Sequence, residues 1–528
     1  MTEEHRRRSR LAPPTLLAGL IPALITVGLG IYFMHLPHVL YGVHEYDDGV
    51  YLGAALRLVH GVLPYRDFVI VHPPGVVVLM APFAALAARL GGTDVAMALG
   101  RDLTIFVAAV NTVLAGRLVR HRGPWAMLIA GLALACFPMA PAADSTLLLE
   151  PYLVCFALIG LILMFRVGRL AGPGRVLVGG LFLGASAAMK IWGFLVLGAV
   201  LVVCLRRLRQ AFLPVLVGGL AGFLAFCLPF IVAAPGAFFH DVFVDQFRRV
   251  EVGSAGLSQG QPAFGFGERL KWLTGSGGLT LLRAGTVATI AVGALAVCAA
   301  GLVTYRFRRR ICPAEWALLL CATVATAAML APAYLFAHYV YFPAAFIAPL
   351  IGGATPALVR RLRLPRRLGT KLPALAVVIA GVAFFVPQQA GFARSHLTTA
   401  IQPTILNLVI PARACVVSDD SSVAIAADLY VPSRPGCPAM VDSFGTWLAD
   451  GPTHEPPYAG PFTAGFVDEW ADWLNQSDYV IQTGPFGSFL PWTPALRSWF
   501  TADFKLAWSG QKLFVYEHVH HAPPPLAQ

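Results

Sequence analysis

Long apolar runs limit most strongly how this chain can fold. The runs 15–34, 99–118 and 211–234 approach or exceed the roughly 20 residues that a helix needs to cross a bilayer. Hydrophobic residues make up 57% of the 528 residues and charged residues only 12%, so a soluble globule of this size could not bury its apolar surface. A disordered chain and a simple soluble enzyme are both excluded. The sequence therefore predicts an all-α, multi-pass membrane protein with a smaller soluble part.

The basic residues lie in short clusters between the apolar runs, and this placement accounts for the net charge of +12 without nucleic acid. Lys and Arg collect in cytoplasmic loops under the positive-inside rule. We therefore predict a plasma-membrane protein that binds no nucleic acid, with a cytoplasmic N-terminus, 1–12, and an extracytoplasmic C-terminal part. The basic clusters occupy 5–10, 117–122, 166–175, 206–209, 306–310 and 360–371.

The apolar segment Pro73–Leu90 decides how the chain is threaded. It is short, is interrupted by Pro82 and carries Arg89. If it crossed the membrane, the later basic clusters would lie on the wrong face, so we expect an interfacial juxtamembrane helix in the first outer loop. About eleven transmembrane helices then remain, predicted at 15–34, 99–118, 124–142, 147–165, 175–190, 192–205, 211–234, 279–304, 314–335, 340–358 and 372–389.

The composition changes after about residue 390. The segment 391–520 has no spanning run and contains short strand-like and helix-like stretches, so we predict a small extracytoplasmic α/β domain there. This domain follows a transmembrane catalytic domain, 13–390, and precedes a tail, 521–528, that we expect to be disordered. The strand-like stretches are 415–417, 479–481 and 512–516, and the helix-like stretches are 467–474 and 494–500.

Two of the nine cysteines, Cys415 and Cys437, lie in the C-terminal segment, whereas the others lie in or beside apolar runs. An oxidising exterior would let these two cysteines pair. The alternative is a pair of buried thiols, which behave as small hydrophobic groups. We predict the disulfide.

Two adjacent carboxylates, Asp47 and Asp48, follow the first apolar run. At the end of a membrane span such a pair is costly unless it is solvated, paired or bound to a metal ion. The pair is therefore either an exposed acidic turn or part of a functional site. Adjacent carboxylates suit Mg²⁺ or Mn²⁺, which prefer oxygen ligands, but no second group of metal ligands is evident from the spacing.

Further polar residues are predicted at the same outer level of the membrane. Lys190 either extends to the headgroups or binds a lipid phosphate. Arg248 and Arg249 are either a solvated basic pair or a phosphate clamp, and His338 is either an interfacial histidine or a base. Carboxylates on one side and cations on another predict an outward cavity suited to a lipid-linked phosphosugar. The remaining members of this set are Arg101, Asp102, Asp144, Glu150, Asp241, Asp245 and Tyr339.

The first outer loop resembles that of the GT-C glycosyltransferases, especially protein O-mannosyltransferases and bacterial lipid A aminoarabinose transferases. In their Asp-Glu-x-x-Tyr/Phe motif, Asp47 matches the Asp, Asp48 replaces the Glu and Tyr51 matches the aromatic residue. The resemblance covers about residues 15–390 and is weaker beyond this loop. Further matches, to a Gly…Pro-Tyr-x-Asp-Phe pattern, a Lys/His-Pro-Pro turn and later positions, are Gly61, Pro64, Tyr65, Asp67, Phe68, His72, Pro73, Pro74, Arg101, Glu150 or Asp144, Lys190, His338 and Tyr339.

The resemblance implies a GT-C fold that transfers a hexosyl or pentosyl group from a polyprenyl-phosphate donor. The acceptor would be a glycan, lipid or protein of the cell envelope, on the outer face. The implied reaction is one inverting displacement, with Asp47 as general base or metal ligand and Asp48 orienting it. The residues implied to hold the donor phosphate are Lys190, Arg248, Arg249, Arg101 and His72. Those implied to bind sugar or acceptor are Glu150, Asp144, Tyr51, Asp67, Asp102, His338 and Tyr339.

Two other functions fit parts of the sequence. A transporter or flippase of a lipid-linked sugar would use the same cavity without chemistry, but it should place charges near the midplane and show repeat symmetry. A structural protein would act through the outer domain, whose tryptophans either stack on sugars or form its core. Charges at the outer rim favour the enzyme. The tryptophans are Trp470, Trp473, Trp492, Trp499 and Trp508.

Overall fold

Most of the residues that the structure describes are helical. The computed structural model describes residues 13–246, 311–330, 336–361, 371–397, 401–431, 436–438, 440–450, 462–486 and 490–525. The predicted span 279–304, together with Arg248 and Arg249, lies outside these ranges. The helices that precede the first gap are α1 (Pro13–Met34), α2 (Tyr46–Val59), α3 (Gly75–Leu90), α4 (Thr93–Leu118), α5 (Pro124–Ala135), α6 (Ala140–Asp144), α7 (Leu149–Met164), α8 (Pro173–Met189), α9 (Gly193–Cys204), α10 (Leu213–Ala233) and α11 (Pro235–Phe239).

The later part of the chain mixes helices with a small sheet. Its helices are α12 (Pro313–Leu330), α13 (Tyr341–Arg361), α14 (Lys371–Leu397), α15 (Ser421–Ala426), α16 (Ser443–Asp450), α17 (Ala464–Gln476) and α18 (Pro494–Asp503). The strands of this later part are β3 (Val416–Ser418), β4 (Tyr479–Gln482), β5 (Phe504–Gly510) and β6 (Leu513–His518). Two earlier strands, β1 (Phe165–Arg166) and β2 (Arg169–Leu170), form a hairpin between α7 and α8.

Within the described residues, four helical stretches are long and apolar enough to cross a membrane. They are Pro14–Met34, Thr93–Leu118, Gly193–Ala233 and Ala337–Thr355. Five shorter apolar helices accompany them, among them α3, which has only 16 residues and is followed by Gly91 in the left-handed conformation (φ 114°). A helix of that length is shorter than the roughly 20 residues of a bilayer span. The interfacial placement of α3 and the count of eleven spans remain predictions.

The predicted span 124–142 is interrupted in the structure. Helix α5 ends at Ala135, and a separate short helix, α6, begins at Ala140 with Pro141 in its first turn. Pro138 and Pro141 lack a backbone N–H and disfavour a helical residue before them, so one helix cannot run through both positions. The break places Asp144 at the end of α6, immediately before the turn that leads to Glu150.

The C-terminal strands form one four-stranded sheet in the order β3-β4-β6-β5. Strands β3 and β4 pair in parallel, whereas β6 pairs antiparallel with both β4 and β5. Cys415, just before β3, forms a disulfide with Cys437, as the sequence predicts. The predicted strand-like and helix-like stretches of this segment all appear, and β5 is an additional strand.

The tryptophans of this segment mainly form its core. Trp470 is fully buried and contacts both Trp473 and Trp492 edge to face. Trp492 and Trp499 are also buried in the same apolar cluster, beside helices α17 and α18. Aromatic pairs of this kind stabilise a small core beyond their area burial. Trp508 is partly buried and packs against the main apolar core instead.

Helix α2 is packed directly against α15 of the C-terminal segment. The Gly49 amide donates to Ser422 Oγ (2.9 Å), and Ser422 Oγ donates to the Tyr46 carbonyl (2.9 Å). Farther along, Arg57 Nη2 donates to the Pro438 carbonyl (2.7 Å) and its guanidinium lies over the Tyr430 ring. The C-terminal segment therefore holds the helix that begins with Asp47 and Asp48.

Replacing Gly49 with Val should separate these two helices. A Cβ atom at residue 49 would meet backbone atoms of Ser421 and Ser422, which cannot rotate away. Overpacking at such a contact destabilises by about 1–3 kcal/mol, so the variant should unfold at a lower temperature and expose the C-terminal segment to protease. Gly198→Val is the matched control, since nothing lies within 4 Å of a Cβ there. Equal melting temperatures for both variants would contradict this packing.

Candidate functional site

Asp48 and Arg101 form a fully buried ion pair. Arg101, on α4, donates to Asp48 Oδ2 through Nε (3.0 Å) and Nη2 (2.5 Å), and both side chains have no exposed surface. Arg101 Nη1 also donates to the Leu40 carbonyl (2.6 Å), and the Leu147 amide donates to Asp48 Oδ1. Both Asp48 oxygens thus accept hydrogen bonds from the protein itself. The pair ties the first turn of α2 to α4 and to the segment before α7.

Asp47 is only half-buried and faces away from this pair. Successive residues on a helix point about 100° apart, so Asp47 and Asp48 cannot face the same way. The Tyr51 hydroxyl, one turn along α2, donates to Asp47 Oδ2 (3.3 Å). The Asp47 carboxylate is therefore partly accessible, whereas the Asp48 carboxylate is fully enclosed.

Glu150 and Lys190 form a second buried ion pair. Lys190 Nζ lies 2.6 Å from Glu150 Oε1, and the side chains are 4% and 0% exposed, respectively. Glu150 is in the first turn of α7, and Lys190 follows the last residue of α8. The Lys190 ammonium also lies over the rings of Trp192 (3.8 Å) and Tyr339 (4.3 Å). Such cation–π contacts stabilise a desolvated ammonium.

Tyr51 joins the Asp47 side of the site to the Glu150 side. Its ring is buried and lies 6.0 Å from the His72 ring. Burial, then the carboxylates of Asp47 and Glu150 and the Tyr339 ring, raise the pKa of Tyr51 well above its ordinary value. Residues from α2, α7 and the segment before α13 therefore all act on this one phenol. The structure thus places Asp47, Glu150 and Lys190 around one region, and the roles assigned to them stay predictions.

Three more predicted residues lie near this region. His72 is buried, and its carbonyl accepts a hydrogen bond from Tyr65 (2.7 Å). His338 is buried, stacks on Phe336 and contacts Tyr339 edge to face. Asp144 is buried at the end of α6, where its carboxyl is hydrogen-bonded to the Tyr341 hydroxyl.

Two predicted residues lie apart from the cluster. Asp67 is held in an exposed turn, where Arg66 donates to it twice (2.7 and 2.8 Å) and the Leu63 amide donates once (2.7 Å). Asp102 is exposed on a different face of α4 from Arg101, because adjacent helical residues point about 100° apart. Neither carboxylate faces Asp47, so the sugar or acceptor contacts predicted for Asp67 and Asp102 have no support in the geometry.

Glu45 is a site residue that the sequence reasoning missed. It precedes α2, and burial raises its pKa well above the ordinary value, with Asp47, Asp48, Asp420 and Glu150 raising it further. Carboxylates from three separate parts of the chain thus act on Glu45. Its place beside the acidic pair, in the sequence Glu45-Tyr46-Asp47-Asp48, was the signal available.

The C-terminal segment adds carboxylates to the same region. The Tyr46 hydroxyl donates to Asp442 Oδ1 (2.8 Å), and Asp420 caps the start of α15, where Ser422 N donates to it (2.9 Å). Asp419, the preceding residue, accepts from the Thr483 amide and hydroxyl. Asp419 and Asp420 directly follow β3, at the carboxyl end of two parallel strands. Ligands of α/β sheets often bind at that end, which was a usable signal.

Asp420→Asn should flatten the pH dependence of stability. Burial, and then the Asp419 carboxylate, raise the pKa of Asp420 to about 7. The folded-state pKa of Asp420 thus lies above its unfolded value of about 3.9. Protonated Asp420 therefore stabilises the fold fully below about pH 3.9, and this stabilisation is lost as the pH rises through about 7. Asn cannot ionise and keeps an oxygen to accept from Ser422. Melting temperatures measured between pH 4 and pH 8 should fall less steeply in this variant.

The matched control for this pH series is Asp472→Asn, an exposed aspartate on α17. It removes the same charge from the same segment without touching α15. Its melting profile should follow that of the wild-type protein. A wild-type slope in Asp420→Asn would show that Asp420 is already ionised in the folded protein at low pH.

Solved glycosyltransferase structures are similar to this chain in fold. ArnT from Cupriavidus metallidurans bound to undecaprenyl phosphate superposes with a TM-score of 0.59 at 14% identity, covering 95% of this chain and 99% of that one. The oligosaccharyltransferase AglB from Archaeoglobus fulgidus, in complex with an inhibitory peptide and a dolichol-phosphate, has a TM-score of 0.54 at 13% identity, covering 89% and 69%. At such identities the likeness establishes the fold, which is that of a GT-C glycosyltransferase.

The family follows from the sequence itself. The chain belongs to Glycosyltransferase family 87, whose sequence profile matches residues 70–333. A search of curated protein sequences found no match. The protein is therefore a membrane glycosyltransferase with the GT-C fold, as the first outer loop predicts.

Proposed function

We propose that the protein transfers a sugar from a polyprenyl-phosphate-linked donor to a hydroxyl acceptor on the extracytoplasmic face of the plasma membrane. The observation that carries this proposal is that a half-buried carboxylate, Asp47, and the buried Glu150–Lys190 pair both lie beside Tyr51. A base and a cation in one region match the two charges that such a transfer moves. The similar structures of ArnT and AglB, which contain undecaprenyl phosphate and dolichol-phosphate, support a lipid donor.

Asp47 acts as the general base in this proposal. It takes the proton of the acceptor hydroxyl while the hydroxyl oxygen attacks the anomeric carbon. The bond from that carbon to the phosphate oxygen breaks, and its electron pair leaves with the polyprenyl phosphate. One displacement inverts the configuration of the sugar. The Tyr51 hydroxyl, which donates to Asp47 Oδ2, positions the base.

Lys190 receives the donor phosphate. An ammonium has three N–H donors, and Glu150 accepts one of them at 2.6 Å. The Glu150 Oε2 atom is buried and accepts no hydrogen bond from the described residues. A buried carboxylate oxygen left in this state costs free energy, so a sugar hydroxyl that donates to Oε2 would be bound favourably. Glu150 thus serves both as partner of Lys190 and as a sugar ligand.

A metal ion shared by Asp47 and Asp48 does not fit this site. Both oxygens of Asp48 already accept hydrogen bonds, from Arg101 and from the Leu147 amide. A chelating ion would have to displace these donors and leave the buried Arg101 without its counter-charge. We therefore assign Asp48 the role of holding α2 in place rather than of binding a metal ion.

The positions of charged residues on three helices support the proposed side of the membrane. Arg101, Glu150 and Lys190 lie near one end of α4, α7 and α8, whereas Arg117 and Arg175 lie near the other end. The positive-inside rule assigns the arginine-rich end to the cytoplasm. The site then opens to the outer face, where the C-terminal segment covers it with Asp420 and Asp442.

Reconstitution tests the proposal directly. The full-length protein, placed in liposomes with synthetic polyprenyl-phospho-hexoses and -pentoses and a cell-envelope extract, should release polyprenyl phosphate and a glycosylated product. Mass spectrometry of cell-envelope glycans with and without the gene identifies the acceptor class. Movement of intact donor across the membrane without release of polyprenyl phosphate would instead establish a transporter.

A further inference from the structure

A cavity of about 220 Å³ lies far from the proposed catalytic site and is lined largely by cations. Its basic lining residues come from the end of α4, the turn after it, the β1–β2 hairpin and the start of α8. They are Arg117, Arg120, His121, Arg166 and Arg175. We call this cavity the arginine pocket. Its walls also include the apolar side chains of Leu118, Ile162 and Phe165.

The arginine pocket and the proposed catalytic site occupy opposite ends of the same helices. Along α4, Arg101 and Arg117 are separated by about 24 Å, since a helix rises about 1.5 Å per residue. Along α8, Arg175 and the Lys190 position are separated by about 22 Å on the same basis. These lengths approach the roughly 30 Å thickness of the hydrocarbon core of a bilayer. The pocket therefore lies at the membrane face opposite the site.

The hairpin that walls the pocket is fixed in shape. Val167 and Gly168 both have positive φ values, 52° and 77°, in the tight turn between β1 and β2. A Cβ atom on Gly168 would meet Cys312 Sγ at 2.8 Å, so this turn packs closely against the start of α12. Arg166, next to the turn, therefore belongs to a hairpin that is packed against the start of α12.

Most of the charge in the pocket lacks a counter-charge. Glu315, on α12, accepts from His121 (3.0 Å) and from Arg122 (2.6 and 2.7 Å), so it serves those two cations. In the described part of the chain, Glu315 pairs with no arginine that lines the pocket. Among the described residues, no carboxylate lies within 4 Å of the guanidinium groups at 117, 120, 166 and 175.

We propose that the arginine pocket binds a phosphate group, carried either by an anionic phospholipid head group or by a soluble phosphate. Guanidinium groups bind phosphate oxygens through paired N–H donors, and several of them around one cavity can neutralise the charge of a diester or monoester. The apolar side chains beside them suit the glycerol and acyl portion of a lipid. Hydrogen bonds to Cys312 and to Glu315 raise the pKa of His121 to about 9, which adds a further cation to the wall.

The test compares two double variants of the full-length protein with equal loss of charge. Arg166→Gln/Arg175→Gln removes two cations from the pocket. Arg206→Gln/Arg207→Gln removes two exposed arginines from the turn after α9, which does not line the cavity. Each delipidated protein in detergent is titrated with phosphatidylglycerol and with phosphatidylcholine, with native mass spectrometry as readout, and with inorganic phosphate by calorimetry.

The pocket variant should bind phosphatidylglycerol about tenfold more weakly than the wild-type protein, while the control variant binds it equally well. Preference for phosphatidylglycerol over phosphatidylcholine identifies a lipid head group as the ligand. Saturable binding of inorganic phosphate alone, lost in the pocket variant, identifies a soluble phosphate. Equal losses in both double variants, or no saturable binding of either probe, would overturn the proposal. The four substituted arginines, at 166, 175, 206 and 207, are all exposed, so the melting temperatures of both variants should match the wild-type value.

Discussion

Asp47→Asn should reduce sugar transfer by about 10²–10⁴-fold while the donor still binds. Asn has the same shape as Asp and keeps an oxygen that accepts from Tyr51, but it cannot take a proton from the acceptor hydroxyl. The loss should therefore appear in kcat, with the KM for the donor nearly unchanged. Release of polyprenyl phosphate by the reconstituted protein measures the first quantity, and titration of the donor measures the second.

Asp102→Asn is the matched control for this experiment. It removes an equally charged side chain next to Arg101 in the sequence, but Asp102 is exposed on a different face of α4. Its activity should equal that of the wild-type protein. Full activity in Asp47→Asn would remove Asp47 from the mechanism. A strong loss in Asp102→Asn would restore this residue to the set of sugar or acceptor ligands that the sequence suggests.

The sequence indicates which residues to consider for the site, but it does not show what each of them does. The directions of neighbouring side chains explain this difference. The pattern places two acidic residues at Asp47 and Asp48, and an arginine with an aspartate at 101 and 102, without showing which member faces inward. On a helix, each adjacent pair diverges by about 100°. One residue of each pair, Asp48 or Arg101, is therefore enclosed in a structural ion pair, and its neighbour points elsewhere.

The contribution of the C-terminal segment could not be predicted from local patterns. Tyr46 and Asp442 are hydrogen-bonded although 396 residues separate them. Apolar periodicity reports which face of a helix or strand is buried, but not which distant segment covers it. The Asp419-Asp420 sequence after a predicted strand was visible, yet its position over α2 depends on a close approach at Gly49 that only the folded chain reveals.

Glu150 and Lys190 were easier to bring together from the sequence. Both stand at the junctions of apolar runs, and adjacent antiparallel runs place such junctions at the same membrane level. A charged residue within a membrane protein has to find a partner at its own depth. The structure places Lys190 Nζ and Glu150 Oε1 2.6 Å apart.

Lys190→Met should destabilise the protein by about 3–5 kcal/mol, because it leaves the Glu150 carboxylate buried without its counter-charge. The expected result is a lower melting temperature in detergent and no detectable transfer. Lys505→Met, at an exposed position of β5, is the control and should change neither quantity. An unchanged melting temperature in Lys190→Met would mean that water or another cation reaches Glu150 in the folded protein.

The double variant Glu150→Gln/Lys190→Met separates stability from chemistry. Removing both charges abolishes the buried, uncompensated carboxylate, so the melting temperature should recover most of the loss seen in Lys190→Met. Transfer should not recover, since the donor phosphate then meets no ammonium and the sugar meets no carboxylate. If the stable double variant regained activity, the Glu150–Lys190 pair would be a structural element alone, and the donor phosphate would have to be held by other cations. A stable, inactive double variant with weakened donor binding would place the phosphate at Lys190.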